Sequence, residues 1–397
     1  MMRCFYGVLL LSLTITLVPG GCPTDGLLPD ANDPVDLNDP TGLDDDFDPF
    51  DGNDPADWDD DFDPFDGNDP TDDDDDADDD NDDATTGAQA VFDQAWAAFD
   101  ETYSYFHYKG IDWDALKAQY RPDFADDLSA DAFAEALAPM LRELHDWHVS
   151  VQKPDGTYVE VYTQDIPQTY PSTPRKRYTN DDTYETLGDN VIWHSWFQDN
   201  IAYIRVDTLD TNATSAITAA DITDLFNTYA GADGMILDLR PNNGGNENFA
   251  AEIASHFTLD SVTYGHTKTR NGPSHDDFDA LQDKVLEPSN GHFFTGPVAC
   301  LISGRCMSSA EWFTLMMQAC PNVTLIGTTT RGSSGNPTEV TLDNGVKLRI
   351  PTWIAYTPAM VEIEDRGIAP DIAVAADASF DGEHDYVIER AIEELTK

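Results

Sequence analysis

The sequence predicts an α/β fold with a mainly parallel sheet, an N-terminal helical cap and, before the cap, a disordered acidic linker. Apolar runs alternate with helical patterns from Ile201 onwards, an order typical of strands and helices in a parallel sheet. Aromatic residues from Phe92 to Phe106 recur at helical spacing and indicate the cap. Residues 23–87 contain 28 Asp and no Lys, Arg or Glu, so they repel one another and lack the apolar area to collapse.

The net negative charge of the chain limits the kinds of molecule that it is expected to bind. The chain has 397 residues and a net charge of −55, and residues 88–397 alone carry 48 acidic and 20 basic residues. That length is enough for a large buried core, as one domain or as one domain with a small companion. Nucleic acid is excluded as an expected partner because phosphate binding needs clustered Lys and Arg. An anionic membrane surface is disfavoured for the same reason.

The N-terminus is typical of a secretory signal peptide. Residues 1–22 combine one Arg, a 14-residue apolar run and small residues, a pattern too short for a membrane-spanning helix. Gly20 and Gly21 precede Cys22, which resembles a bacterial lipobox and predicts lipidation of Cys22. We therefore expect an exported protein anchored in the cell envelope, periplasmic or at the cell surface. A plain secreted protein in which Cys22 is incidental is the alternative.

The linker contains a repeat, because residues 44–55 recur letter for letter at 59–70. We expect an extended spacer between the anchor and the folded domain. The aspartates at 61, 63 and 66, followed by Gly67, resemble a calcium loop, although the spacing is one residue too long for an EF-hand and no Glu closes it. Weak calcium binding and loose condensation of counter-ions remain the two alternatives.

The folded elements are predicted in order along the chain. Helices are expected at 88–106, 112–120 and 130–145, followed by an extended segment at 148–161 and a loop at 164–190. Buried strands are expected at 201–206, 234–239, 297–302 and 323–327, and a hairpin at 338–350. Further helices are expected at 215–229, in a segment that contains Phe249 and Phe257, at 308–318 and at 384–396. The predicted domains are a signal peptide at 1–22, the linker at 23–87, the cap at 88–150 and the core at 151–397.

Two junctions between a strand and a helix could support chemistry. At the first junction, Gly244 and Gly245 follow a predicted strand. They permit a sharp turn and expose N–H groups at a helix N-terminus. This suits binding of an anion or oxyanion. At the second junction, Ser308 and Ser309 begin a helix after a buried strand. A serine there is either an N-cap or a nucleophile.

A nucleophilic serine needs a base and a group that orients the base. His148 lies just after a predicted helix and is the candidate base, and Glu364 lies in a loop where its carboxylate could orient that base. The segments that contain these residues resemble, in wording and order, the tail-specific, or C-terminal-processing, serine peptidases, and especially the branch that includes the catalytic core of tricorn protease. The matching segments are Leu141–His148, Asp238–Gly245, Ser308–Glu311 and Gly367–Asp371.

The resemblance implies a ClpP/crotonase-like core and a serine endopeptidase. It implies that Ser308 is the nucleophile, His148 the base and Glu364 its support, acting directly or through a bridging hydroxyl or water. The N–H groups of Gly244 or Gly245 and of Ser309 would bind the oxyanion. It implies a peptide or protein substrate and neither a metal nor an organic cofactor. A His base with an ordinary pKa predicts activity that falls below about pH 6.5.

The sequence departs from the family pattern at two positions. Many members use a Ser-Lys dyad, but Ser333 occupies the position of the Lys here, so only the Ser-His arrangement is open. Trp147 precedes His148 where a small or hydroxyl residue is common, which leaves the bridging hydroxyl unassigned, and Ser150 is one candidate. The roughly 50 residues between His148 and Ile201 are too few for the PDZ domain that members commonly insert.

Two other classes of function stay open. A protein that binds a ligand or peptide on the same fold without catalysis would fit the missing Lys. An adhesin or calcium-dependent spacer would fit the Asp repeats. Retention of Ser308, His148, Glu364 and the paired glycines favours the enzyme. Cys300, Cys306 and Cys320 could form one disulfide and leave one thiol over.

Overall fold

The computed structural model describes residues 87–397 apart from 126, 175, 181 and 182. The predicted signal peptide, the lipidation site Cys22 and the calcium-like repeats lie outside the described residues. The helices are α1 Gly87–Thr102, α2 Phe106–Lys109, α3 Trp113–Tyr120, α4 Ala130–Arg142, α5 Thr211–Thr214, α6 Ala219–Thr228, α7 Glu247–Ala254, α8 Ser309–Ala319 and α9 Tyr386–Leu395. Short 3-10 helices are Arg121–Phe124, Lys176–Tyr178, Gln198–Asn200, Ser255–Phe257 and Ala376–Ala378.

The strands form three sheets. They are β1 Ser150–Gln152, β2 Tyr158–Val159, β3 Glu185–Leu187, β4 Ile192–Phe197, β5 Ile201–Val206, β6 Gly234–Asp238, β7 Val262–Thr269, β8 Gln282–Leu286, β9 Val298–Ile302, β10 Val323–Gly327, β11 Pro337–Thr341, β12 Lys347–Pro351, β13 Trp353–Tyr356 and β14 Ile372–Ala373. The seven-stranded sheet has the order β14-β10-β9-β6-β5-β4-β3. Its first five strands are parallel and β4 and β3 are antiparallel. The predicted α/β fold with a mainly parallel sheet is confirmed.

The central sheet is buried on both faces. Helices α6, α7 and α8 pack on one face through residues such as Phe226, Ile253 and Phe313. Helix α9 covers the other face with Val387 and Ile388. Strand β6 is buried at every residue, as expected of a parallel strand between two helical layers. The residues that follow β6 and β9 therefore emerge at the same edge of the sheet, where the candidate site lies.

The N-terminal helices have a hydrophobic core of their own, which is shared with a small sheet. Strands β11, β12, β1 and β2 pair antiparallel in that order. Val151, Leu348 and Ile350 from this sheet are buried with Phe99 and Leu141 of the helices. The segment that leads from α4 to β1 contains His148. Packing of the cap against the hairpin at 337–351 thus fixes the start of the segment that contains the candidate base.

Most predicted elements are confirmed, with boundaries set by local contacts. The first helix ends at Thr102 and not at 106, because the Ser104 N–H and hydroxyl bond to the carbonyls of Pro351 and Trp353. The predicted helix at 215–229 begins at Ala219, because Thr218 forms a capping box with Asp221.

Two groups of strands were not predicted. Strands β3 and β4 extend the seven-stranded sheet beyond β5, so the segment 164–190, predicted as a loop, contains a strand at Glu185–Leu187 that pairs with β4. Strand β7 pairs with β13 and β8 in a third, antiparallel sheet. Strand β7 has only two apolar side chains, Val262 and Tyr264, in eight residues, so its sequence has no clear apolar alternation. In the described part of the chain, no helix is long and apolar enough to cross a membrane.

A buried ion network ties the last helix to the strand that precedes the paired glycines. Arg240 binds Asp238 through Nη2 (2.6 Å) and Asp385 through Nη1 (2.8 Å) and Nη2 (2.9 Å). All three side chains are fully buried. Asp385 also caps α9 by accepting the Ile388 N–H. A buried cation needs such partners because water cannot reach it.

We predict that Asp385→Asn lowers the free energy of unfolding by about 3 kcal/mol or more, because it leaves the buried Arg240 with one carboxylate partner. Asn caps helices as well as Asp does, so the loss reports the ion pair. Urea unfolding followed by circular dichroism measures it. The control is Asp224→Asn on exposed α6 surface, expected to change stability by less than about 0.5 kcal/mol. Equal stability of both variants would contradict the prediction.

Candidate active site

Ser308 is held in a strained backbone conformation at the start of α8. Its φ is +56° and its ψ −129°, a combination that residues with a side chain rarely adopt. The helix therefore begins at Ser309 and not at Ser308. The Ser308 hydroxyl forms no helix cap and has no hydrogen-bond partner within the described residues. The conformation thus leaves a half-buried, unbonded hydroxyl at the N-terminus of α8.

The paired glycines lie directly against this serine. A Cβ added to Gly244 would lie 2.7 Å from the Met307 carbonyl oxygen and 2.9 Å from Ser308 Cβ. Only glycine fits at this distance. The Ser309 hydroxyl donates to the Gly245 carbonyl (2.7 Å). This bond fixes the glycine turn to the N-terminus of α8.

The turn and the helix present two unbonded N–H groups. The Gly244 N–H donates to Asn242 Oδ1 (2.9 Å) and is therefore occupied, although the sequence left it as a candidate donor. The N–H groups of Gly245 and Ser309 have no acceptor in the described part of the protein. Both residues and Ser308 line one pocket of about 330 Å³. These two donors, at the positive end of a helix dipole, suit a developing oxyanion.

His148 is brought to Ser308 through Ser333. Its Nδ1 lies 2.7 Å from the Ser333 hydroxyl oxygen, while the Ser308 N–H donates to the Ser333 carbonyl (2.7 Å). The backbone N–H of His148 also donates to Asp146 Oδ1 (2.8 Å). When Nδ1 carries the proton, it donates to Ser333 and leaves a lone pair on Nε2. The ring is then in the tautomer that a general base requires.

The loop that contains Ser333 is held by Glu311, the fourth residue of the Ser308–Glu311 segment. Glu311 is fully buried, and its carboxylate accepts four hydrogen bonds of 2.7–2.8 Å. The donors are the Thr330 hydroxyl, the Gly332 N–H, the Ser333 N–H and the Ser334 hydroxyl. Burial nevertheless raises the pKa of Glu311 to about 7. Glu311 therefore positions the partner of His148.

His148 is neutral far below its ordinary pKa. Burial of the ring, followed by the positive charges of Arg349 and Arg331, lowers the pKa of His148 from 6.5 to about 3. The sequence led us to expect loss of activity below about pH 6.5. In this environment the imidazole of His148 stays unprotonated well below pH 6.5. We therefore expect activity that depends on a neutral His148 to fall only at a lower pH.

Glu364 lies in a buried group of charges next to the base. Its Oε1 binds Lys109 Nζ (3.0 Å), and its buried Oε2 has no partner within the described residues. Asp146 accepts from the Tyr103 hydroxyl (2.9 Å). Burial, with repulsion from Asp146, raises the pKa of Glu364 well above its ordinary value. The hydrogen-bond partner of His148 Nδ1 is Ser333 and not Glu364, so any support from Glu364 is indirect.

Within the described residues, neither Ser150 nor a cysteine contacts the His148 ring. Ser150 lies in β1 opposite Arg349, and the hydroxyl next to His148 is supplied by Ser333. Cys300, Cys306 and Cys320 are free and buried. Among the described residues, no three His, Cys, Asp or Glu side chains converge as a metal site would need.

Comparison with known proteins identifies the families that the sequence matches. A family model described as "Peptidase family S41" matches residues 200–374, and one described as "Tricorn protease C1 domain" matches residues 87–142. Residues 200–374 thus match peptidase family S41. Ser308, the paired glycines, Ser333 and Glu364 all fall within the S41 match. His148 lies between the two matched ranges.

Two curated relatives and one solved structure show the extent of the similarity. The carboxy-terminal processing protease CtpA of Bacillus subtilis is 27% identical over 192 residues, 47% of this chain and 38% of the relative. The carboxy-terminal-processing protease of Bartonella bacilliformis is 30% identical over 144 residues, 36% of this chain and 31% of the relative. A proposed peptidase from Parabacteroides merdae has a TM-score of 0.69 and 26% identity, covering 79% of this chain and 98% of that structure. The match therefore spans about a third of the curated S41 relatives.

Proposed function

We propose that this S41 protein is an exported serine endopeptidase with Ser308 as nucleophile and His148 as base. One arrangement carries the proposal. An unbonded, strained Ser308 lies beside the open N–H groups of Gly245 and Ser309, and Ser333 contacts both Ser308 and His148. A merely structural serine at a helix N-terminus would cap the helix, and Ser308 does not.

The mechanism follows from these positions. His148 Nε2 accepts the proton of the Ser308 hydroxyl as Oγ attacks the peptide carbonyl. The N–H groups of Gly245 and Ser309 stabilise the negative oxygen of the tetrahedral intermediate, and one such donor typically contributes about 3 kcal/mol. The imidazolium then protonates the leaving amine, and water hydrolyses the acyl-enzyme by the same route. No step needs a metal or a cofactor.

We assign Ser333 the role of bridging hydroxyl between His148 and Glu364. Once Ser333 accepts from Nδ1–H, its own proton needs an acceptor. The Glu364 Oε2 is a buried oxygen without a partner among the described residues. Asp365, next to Glu364, donates its N–H to the Gly332 carbonyl (2.8 Å), next to Ser333. Glu364 would thus support the imidazolium through Ser333.

The rest of the chain is proposed to deliver this enzyme to the cell envelope. The leader at 1–22 would direct export, Cys22 would bear the lipid and residues 23–87 would space the anchor from the catalytic part. The cap would comprise residues 88–150 and the peptidase core 151–397. The substrate is a peptide or protein, and calcium would bind the linker only weakly. A catalytically inactive binding lipoprotein on the same fold is the alternative.

Labelling with a fluorophosphonate probe, read by intact mass, tests the function. The full-length wild type should gain one covalent adduct on Ser308. Ser308→Ala should gain none, and His148→Ala should react about 10²–10⁴-fold more slowly because general-base assistance contributes that much. Absence of labelling in a folded wild type would favour the inactive binding protein. Labelling that persists at an equal rate in His148→Ala would remove His148 as the base.

Replacing Ser333 tests the bridging role. Ser333→Ala should lower kcat about tenfold with little change in KM, because a hydrogen bond to a buried group contributes about 1–2 kcal/mol and the substrate is not touched. Ser333→Thr should restore most of the activity. The matched control is Ser150→Ala, which removes a hydroxyl from the strand after His148 and should leave kcat unchanged. A larger loss for Ser150→Ala than for Ser333→Ala would reverse the assignment.

A further inference from the structure

A second pocket is lined by sequence neighbours of the candidate site residues. It has a volume of about 680 Å³. Its lining includes immediate neighbours of three site residues: Trp147 before His148, Met307 before Ser308 and Asn243 before the paired glycines. A peptide whose scissile carbonyl lies at Ser308 could therefore reach this pocket with a nearby side chain or with its terminus.

Two arginines line the pocket, and neither has a carboxylate partner within the described residues. Arg331 is held in place. Its Nε donates to the Gly304 carbonyl (2.7 Å), and its guanidinium lies over the Trp147 ring, 4.2 Å from the centroid. Arg305 is exposed, and its guanidinium makes no hydrogen bond or ion pair with any described residue. A chain with 76 acidic and 21 basic residues thus leaves two guanidinium groups of this pocket without an ion pair to any described residue.

The acidic residues of the pocket do not cancel this charge. Asp207 is bound by Arg205, whose Nε and Nη2 both contact its carboxylate. Asp165 is exposed and lies on the rim, and it forms no ion pair with a described cation. Among the lining residues that form no ion pair with the described part of the chain, two are positively charged, Arg305 and Arg331, and one is negatively charged, Asp165. The fixed, planar guanidinium of Arg331 is preorganised for a carboxylate, and Arg305 can complete the pair of donors.

We propose that this pocket binds a carboxylate of the substrate near the scissile bond, through Arg331 and Arg305. The proposal rests on the proposed peptidase function and names its substrate class. The carboxylate comes either from an Asp or Glu side chain of the peptide or from the α-carboxylate at its C-terminus. Both sources present the same chemistry to the arginines, and the experiment separates them.

Cleavage kinetics on matched peptides test the proposal. The full chain is given a positional library in which single Gln residues are replaced by Glu, with each peptide made as the C-terminal acid and the amide. Wild type should prefer Glu over Gln at one position, or acid over amide, by about tenfold or more in kcat/KM, since charge-assisted hydrogen bonds contribute about that factor. Glu dependence identifies a side chain, and acid dependence identifies the terminus.

Three variants decide whether the arginines cause this preference. Arg305→Gln should reduce it to about twofold or less. Asp165→Asn should increase it, because it removes the competing charge on the rim. The control is Arg177→Gln, an exposed arginine beside Glu383, which should leave the preference intact. A preference that is absent in wild type, or equal in wild type and Arg305→Gln, overturns the proposal.

Binding separates this proposal from the peptidase function. Fluorescein-labelled peptides of the same library are titrated into Ser308→Ala and into Ser308→Ala/Arg305→Gln and followed by anisotropy. Tighter binding of the carboxylate peptides to the single variant than to the double variant supports the carboxylate pocket even if the wild type neither cleaves nor labels. Equal affinity for both variants, together with efficient cleavage by wild type, overturns the pocket and leaves the peptidase function standing.

Discussion

The buried carboxylate of Glu311 links the helix that follows Ser308 to the loop that contains Ser333. It lies in the first turn of α8, three residues after Ser308, and accepts four hydrogen bonds from residues 330–334. Leaving a carboxylate in a dry interior is costly unless it is fully bonded, so the loop has little freedom to move away. Because Ser333 lies in that loop and contacts His148, the positions of nucleophile and base both depend on Glu311.

These hydrogen bonds explain how a site that lacks the Lys of a Ser-Lys dyad can position His148 as a candidate base. Ser333 carries no charge, but its carbonyl and hydroxyl contact Ser308 and His148 respectively. The candidate base His148 lies between α4 and β1, so the site depends on both hydrophobic cores. Burial and two nearby arginines keep His148 neutral. Lys109, which binds Glu364 Oε1 at 3.0 Å, opposes in part the rise in the pKa of Glu364 that burial and Asp146 cause.

Local patterns predicted the elements whose signals lie within a few residues. The apolar run of β6 and the glycine turn were read directly from the sequence, and Ser308 and His148 were singled out there as candidates. Contacts between distant residues were not. Ser333 meets His148 across 185 positions, and Ser150 was the nearer hydroxyl in sequence. The occupied Gly244 N–H depends on where the Asn242 side chain points, and β7 is defined by its partners more than by its own pattern. A serine in place of the Lys was the one signal that could have indicated Ser333.

The tautomer and charge of His148 test the central claim most directly. Nitrogen-15 NMR on the full chain labelled at histidine, with His148→Gln for assignment, reports both. We predict a neutral ring at pH 5, because the pKa is about 3 and a depressed pKa keeps the proton off until the pH falls toward it. The proton should reside on Nδ1, facing Ser333, with the lone pair on Nε2. A proton on Nε2, or titration near the ordinary value of about 6.5, would contradict the account.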